Sequence, residues 1–189
     1  MSNAGSLSVG DTQSVNWVAA LDVVLQLAFL VCVSFAVITD FRTLLIPNWI
    51  SLALLAAFAP FAVLHLPLGA IGGHFLVMAI VLALSVFFFV VGWVGGGDVK
   101  LMSAIALWMG PGHVAPFVIL MALLGGMLAI SIMVMEKFGR WLDPRLFNLA
   151  LFRRLGELAD SRQCPYGVAI GVAGLIVSFD LFTSVGEAR

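Results

Sequence analysis

Residues 71–94 read IGGHFLVMAIVLALSVFFFVVGWV, and this stretch decides the class of fold. It contains no Lys, Arg, Asp or Glu, and nearly all of its side chains are aliphatic or aromatic. A helix needs about 20 such residues to cross the hydrocarbon core of a bilayer, because each residue adds only ~1.5 Å along the axis. The stretch is therefore predicted to be a membrane-spanning helix.

The composition of the whole chain points to the same class. Of the 189 residues, 62% are hydrophobic and 10% are charged, whereas a soluble domain carries roughly 25% charged residues. This number of charged residues is too small to cover a surface that faces water throughout. Soluble and fibrous folds are therefore excluded. The net charge of −1 offers no basic surface to nucleic acid. Two cysteines predict neither a disulfide framework nor a zinc site.

Further apolar runs on both sides predict an all-α polytopic membrane protein with six transmembrane helices. The predicted spans are residues 17–38, 49–66, 71–94, 99–109, 114–135 and 166–182. The fourth helix is short, since its eleven residues extend only about 17 Å. A re-entrant hairpin is the alternative to a crossing there, but a crossing places eight of the nine Lys and Arg residues on one side. Because basic residues accumulate in cytoplasmic loops, both termini are predicted to lie outside.

The polar segments divide the chain further. Residues 1–16 are predicted to be a disordered tail, residues 17–183 one membrane domain and residues 184–189 a C-terminal tail. Residues 137–163 mix apolar and basic side chains, which predicts an amphipathic helix on the inner membrane surface. This helix either only connects two spans or takes part in docking a substrate. Asp22, near the outer end of the first span, is interpreted as a snorkelling or capping group.

Two acidic residues at the inner boundary of the membrane are the candidate catalytic groups. Asp40 ends the first predicted span and Asp98 begins the fourth, so the topology allows their carboxyl groups to meet. Ionisable groups in or near the hydrocarbon are costly and usually mark a site. Two neighbouring carboxyl groups share one proton, which is the arrangement used by aspartic proteases. This chemistry needs water and a groove for a peptide, and we predict neither a metal nor a cofactor.

Each acid taken alone also has a simpler explanation. Asp40 is explained as a helix-end acid that is solvated or paired with Arg42, and Asp98 as a first-turn acid favoured by the helix dipole. The three glycines at 95–97, directly before Asp98, favour a shared site, because they allow a second chain to approach the backbone. After Asp40, Pro47 is predicted to occupy the first position of the second span.

Three motifs in this order resemble the type IV prepilin peptidases. DFRTLLIPN (residues 40–48) is similar to their first signature, an acid and a basic residue followed by Ile-Pro-Asn. GGGDVKLM (residues 95–102) is similar to their second, Gly-x-Gly-Asp followed by a lysine, and CPYGVAI (residues 164–170) to the Pro-Tyr-Gly segment that opens their last span. The resemblance extends over about residues 17–182, nearly the whole chain.

The resemblance implies a GxGD-type intramembrane aspartic endopeptidase. Asp40 and Asp98 would be its catalytic pair, cutting the leader from membrane-inserted prepilins at the cytoplasmic face of the bacterial inner membrane, with both termini periplasmic. The residues implied to bind substrate or support the pair are Gly95, Gly97, Lys100, Arg42, Pro47, Asn48 and Tyr166. Lys100 and Arg42 would tune the acids or bind lipid phosphate. Tyr166 would donate a hydrogen bond near the site or anchor the helix at the interface.

One departure narrows the resemblance. Larger members of the family carry two Cys-x-x-Cys pairs that bind zinc, together with an N-methyltransferase activity, and this chain contains no Cys-x-x-Cys. It resembles the short, peptidase-only members that serve Flp/Tad-type pili. Two other classes remain open: a small proton-coupled transporter, which would place its acids near the bilayer midplane, and a non-catalytic pilus or secretion assembly factor.

Overall fold

A computed structural model describes residues 9–138 and 165–187. Over these ranges the chain is helical and contains no strand. The helices are α1 (Val9–Thr43), α2 (Asn48–His65), α3 (Leu68–Val90), α4 (Gly96–Phe138) and α5 (Tyr166–Glu187). All five contain a segment long and apolar enough to cross a membrane. The prediction of an all-α polytopic membrane protein agrees with these helices.

The predicted count of six transmembrane helices is not confirmed. The predicted spans 99–109 and 114–135 both lie within α4, which consists of two helices joined across a kink. The backbone leaves helical geometry at this kink, at Gly110, where φ is 56° and ψ is −169°. This conformation is open to glycine and strained for residues with a Cβ atom. We refer to residues 96–109 as α4a and to residues 111–138 as α4b.

Other boundaries differ from the predictions at the two ends of the chain. Helix α1 begins at Val9, so residues 9–16 of the predicted disordered tail are helical; no Gly or Pro stands between Asp11 and Asn16 to stop the helix. Helix α5 continues to Glu187, beyond its predicted end at residue 182. The Ser184 hydroxyl donates to the Leu181 carbonyl oxygen within α5, which makes this polar residue compatible with a helix. The predicted amphipathic helix at 137–163 lies, beyond Phe138, outside the described residues.

The core is built around α4a. Every residue from 101 to 110 is buried, so this segment is enclosed by other helices and not by lipid, as expected of a helix that is apolar on all sides. Trp108 lies near the end of α4a, and its Nε1 donates to the Leu54 carbonyl oxygen of α2 at 3.0 Å. Its ring contacts the aromatic rings of Phe29, Phe58, Phe61 and Phe182. The helix that begins just before Asp98 is therefore held firmly in the bundle.

Contacts along α4a fix its direction. Near its beginning, Gly97 lies against Ile46, in the connection between α1 and α2. Near its end, the Leu107 carbonyl oxygen accepts a hydrogen bond from Nδ1 of His74, at 2.8 Å, close to the beginning of α3. Helix α4a therefore runs from the end of the bundle that contains Ile46 to the end that contains His74.

Contacts along α4b show that the chain then reverses. Pro111 lies beside Gly73, at the same end of the bundle as the beginning of α3. Fourteen residues later, Gly125 lies against the ring of Tyr166, the first residue of α5. The neighbouring Gly167 is in turn close to Ile46. Helix α4b thus returns to the end at which α4a began, and Gly110 is the point of reversal.

At the His74 end of the bundle, Asp22 is buried and its Oδ1 lies 2.5 Å from Nε2 of His65. The interpretation of Asp22 as a snorkelling or capping group is therefore wrong, because the carboxyl group points into the bundle and pairs with α2. Periodicity alone did not reveal this pair, since it depends on how two helices are rotated about their axes.

Candidate functional site

The first acid, Asp40, lies in the last turn of α1. Its side chain is only 4% exposed, which excludes the explanation of a solvated helix-end acid. Its carbonyl oxygen accepts the N–H of Leu44 at 2.9 Å, and Leu44 has a φ of 56°. Many helices end in this way, with a residue in the left-handed conformation whose N–H bonds back to the last turn, and that residue is normally glycine. A leucine there costs about 1 kcal/mol, and the turn directs the chain away from α1 toward Ile46.

The carboxyl group of Asp40 is held by α5. Its Oδ2 accepts the backbone N–H of Val168 at 3.0 Å, and the N–H of Gly167 also donates to this carboxyl group. Both donors belong to the first turn of α5, where backbone N–H groups lack partners within the helix and carry the positive end of its dipole. The end of α1 is thereby joined to the beginning of α5.

The second acid, Asp98, lies in the first turn of α4, as predicted, and is 9% exposed. It accepts a hydrogen bond from the backbone N–H of Gly95 and interacts electrostatically with Asp40. Two acids that are 58 positions apart in the sequence are thus brought to the same end of the bundle. Because both carboxyl groups are buried, each adds to the cost of ionising the other.

Both acids line one cleft of about 410 Å³. The cleft is bounded by the connection between α1 and α2 on one side and by the glycines before α4 on the other. Its lining residues are Asp40, Leu44, Leu45, Ile46, Asn48, Gly95, Gly96, Gly97 and Asp98. A molecule of liquid water occupies about 30 Å³, so the cleft has room for a water molecule and a short stretch of extended peptide. Leucine and isoleucine side chains provide apolar surface beside the two carboxyl groups.

The glycines predicted to allow the approach of a second chain lie in the wall of this cleft. Gly95 and Gly97 both line the cleft, next to Asp98. A Cβ atom at Gly95 would lie 3.2 Å from Oδ2 of Asp98, and one at Gly97 would lie 3.2 Å from Cβ of Ile46. Side chains at these two positions would narrow the cleft and press on one of its acids.

The other predicted site residues are divided between the cleft and its surroundings. Asn48 lines the cleft, and its Oδ1 accepts a hydrogen bond at 2.8 Å from Nζ of Lys100, which is exposed. Pro47 immediately precedes α2 and is not its first residue, a difference of one position from the prediction. Arg42 is exposed and does not line the cleft. Tyr166 also lies outside the lining and packs against Gly125 of α4b.

Some residues that shape the site without a polar side chain were not predicted from the sequence. Ile46 contacts both Gly97 and Gly167, and so fits between the beginnings of α4 and α5. Val168 contributes only its backbone N–H to Asp40. Ile46 lies within the first motif and Val168 within the third, and this was the one signal in the sequence for either residue. An apolar side chain or a backbone N–H group has no chemical signature of its own. Within the described part of the chain, no three His, Cys, Asp or Glu side chains are grouped to hold a metal ion.

Comparisons with known proteins place the chain in a family. The model of the type IV leader peptidase family matches residues 27–130, more than half of the chain, and the matched range contains both Asp40 and Asp98. No curated protein and no solved structure matches the chain. The range of the family match, together with the five apolar helices, leads to one conclusion: the chain belongs to the type IV leader peptidase family of membrane proteins.

Proposed function

We propose that the protein is an aspartic endopeptidase that removes the leader peptide from type IV prepilins of the Flp type. The observation that supports this most directly is the pair of buried acids, Asp40 and Asp98, in one cleft that is large enough for water and a peptide. Family membership supports a peptidase, and the two carboxyl groups supply a hydrolytic chemistry that needs no further group.

The proposed reaction uses one ionised and one protonated carboxyl group. The ionised carboxylate takes a proton from a water molecule as the water oxygen forms a bond to the carbonyl carbon of the scissile peptide. The protonated carboxyl group gives its proton to the carbonyl oxygen. When the tetrahedral intermediate collapses, the carbon–nitrogen bond breaks, the leaving amine takes the proton that the first carboxyl group gained from water, and a hydroxyl group of the intermediate returns its proton to the other carboxylate. Asp40 and Asp98 carry these two roles between them.

The substrate proposed for this site is a prepilin whose apolar helix lies in the membrane. Both acids lie within two or three residues of a helix end, Asp40 before the end of α1 and Asp98 after the beginning of α4. A site at the end of a bundle is suited to a peptide bond that lies at the membrane boundary. The absence of Cys-x-x-Cys in the sequence favours the peptidase-only class that serves Flp/Tad-type pili.

We further propose that α4a and α4b each cross the membrane, which gives six crossings in all. The contacts of Gly97 with Ile46 and of Pro111 with Gly73 support this, because they lie at opposite ends of α4a. The distribution of Lys and Arg along the sequence then favours periplasmic termini and a cleft that opens to the cytoplasm of the inner membrane. A proton-coupled transporter would instead be expected to hold its acids near the midplane.

Cleavage of a purified substrate tests the proposal. The protein, purified in detergent, is incubated with a full-length Flp-type prepilin, and the product is identified by mass spectrometry. We expect a single cut between the leader and the mature protein. Asp40→Asn and Asp98→Asn should each abolish it, whereas Asp180→Asn, which changes an exposed acid on α5, should leave it unchanged. An intact prepilin after incubation with the unmodified protein would contradict the proposal.

A further inference from the structure

The first turn of α5 contains a buried glycine, Gly167, that faces the end of α1. A Cβ atom on Gly167 would lie 2.8 Å from both Cγ and Oδ2 of Asp40 and 2.6 Å from Cδ1 of Ile46. Real Cβ atoms essentially never lie this close to another heavy atom. Any larger residue at this position must therefore displace the Asp40 carboxyl group, Ile46 or α5 itself.

Because Gly167 has no side chain, the backbone of α5 can reach the Asp40 carboxyl group. The N–H of Val168 donates to Oδ2 of Asp40 at 3.0 Å and also lies 3.2 Å from the carbonyl oxygen of Pro165. The N–H of Gly167 donates to the same carboxyl group. Hydrogen bonds from backbone N–H groups to a carboxylate are short and about twice as strong as neutral ones, so α5 fixes the carboxyl group in place.

The two acids of the cleft are held in different ways. Asp98 bonds to the N–H of Gly95, three residues earlier, so the beginning of α4 sets its position locally. Asp40 bonds instead to Val168, which is 128 positions further along the chain and on another helix. The position of the Asp40 carboxyl group beside Asp98 therefore depends on its local contact with the first turn of α5, and Gly167 is the residue that permits this contact.

We propose that Gly167 is a positioning residue for the hydrolysis, because its lack of a side chain lets the first turn of α5 hold the Asp40 carboxyl group beside Asp98. This inference rests on the proposed function, since it concerns the same two acids. Gly167 does not line the cleft, so it acts on the reaction through Asp40 and not through contact with the peptide.

Gly171, one turn further along α5, provides a matched control. A Cβ atom there would overlap Cγ2 of Val37 and lie 3.5 Å from Cγ1 of Val33, so alanine disturbs the same interface between α5 and α1. The three heavy atoms nearest to that Cβ all belong to Val33 and Val37, and none belongs to an acid. The two alanine variants therefore share a packing defect and differ in whether a catalytic carboxyl group is displaced.

The test compares Gly167→Ala and Gly171→Ala, each purified as the full chain, by thermal unfolding and by steady-state cleavage of an Flp-type prepilin. We expect similar losses of thermal stability. Because a displacement of about 1 Å at a reacting group lowers a rate about 100-fold, kcat of Gly167→Ala should fall about that much, with KM within threefold. The kcat of Gly171→Ala should stay within threefold of the unmodified protein. Equal kcat values for the two variants would overturn the inference.

Two more variants separate the routes by which Gly167→Ala acts. Ile46→Val removes Cδ1, the atom nearest to the added Cβ, so the double variant Ile46→Val/Gly167→Ala is compared with Ile46→Val alone. We expect kcat to remain about 100-fold lower in the double variant. Full recovery of kcat would place the effect on Ile46 and overturn the inference.

If Gly167→Ala does not fold, the variant Val168→Pro tests the inference instead. Proline is tolerated in the first helical turn but lacks the N–H that bonds Asp40. We expect its kcat to fall about tenfold or more, and an unchanged kcat would overturn the inference.

The outcomes also distinguish this inference from the proposed function. An unmodified protein that fails to cleave prepilin, or an Asp40→Asn variant that still cleaves it, contradicts the proposed function. Cleavage by the unmodified protein together with full kcat in Gly167→Ala contradicts only the role of Gly167.

Discussion

Replacement of Gly110 by alanine is expected to destabilise the protein by several kcal/mol, because two separate features of this position exclude a side chain. The φ of 56° and ψ of −169° strain any residue that carries a Cβ atom, at a cost of about 1–3 kcal/mol. The added Cβ atom would also overlap the ring of His74, with Nε2 only 2.5 Å away. His74 is buried, so the ring cannot move toward solvent.

The displacement of His74 adds a second contribution. Its Nδ1 donates to the Leu107 carbonyl oxygen at 2.8 Å, and moving the ring leaves a buried polar group without its partner. Such a loss costs about 1–3 kcal/mol. Together with the backbone strain, Gly110→Ala should lower the free energy of unfolding by about 2–6 kcal/mol.

Equilibrium unfolding in mixed micelles of a mild detergent and dodecyl sulfate measures this change, with tryptophan fluorescence, to which the buried Trp108 contributes, as the signal. Gly112→Ala is the control, because a Cβ atom at Gly112 meets nothing within 4 Å. We expect the control to change stability by less than about 0.5 kcal/mol. If Gly110→Ala were as stable as Gly112→Ala, the chain would not reverse at Gly110 in the way described above.

Two further predictions concern the packing that supports the site. Gly125→Ala should lower the free energy of unfolding by about 1–3 kcal/mol, because the added Cβ would lie 2.5 Å from the ring of Tyr166. Gly126→Ala should have little effect, because a Cβ there meets nothing within 4 Å. Equal stability of the two variants would contradict the close contact between α4b and α5. Trp108→Phe should cost about 1–3 kcal/mol, measured in the same unfolding assay, because the Leu54 carbonyl oxygen loses its Nε1 donor within the core; an unchanged stability would show that this hydrogen bond contributes nothing.

The sequence alone predicted the helices and the meeting of the two acids for the same physical reason. Apolar runs long enough to cross a bilayer have few alternatives to a helix, and crossings that alternate in direction place the end of α1 and the beginning of α4 at one end of the bundle. The placement of Asp40 and Asp98 at the same end of the bundle therefore follows from the positions of the apolar runs. The position of the glycines next to Asp98 could be predicted equally well, because it depends only on the local sequence.

The apolar runs predicted a break between residues 109 and 114, but not that the backbone conformation of Gly110 would form it. Gly110 reverses the chain within a few residues, and no polar loop marks the place. The pairing of Asp22 with His65 and the contact of Gly167 with Asp40 were also not predicted. Both depend on which faces of two helices meet, and that is decided by packing of the whole bundle, which no single stretch of the sequence determines.

The most direct measurement of the central claim is the rate of prepilin cleavage by Asp40→Asn and Asp98→Asn, each compared with Asp180→Asn in the same detergent. Asparagine keeps the shape of the side chain and removes its ability to exchange a proton with water. If the two acids share the hydrolysis, each single variant should reduce cleavage to the background rate while thermal unfolding shows a folded protein. Cleavage at the rate of Asp180→Asn by either variant would contradict the account.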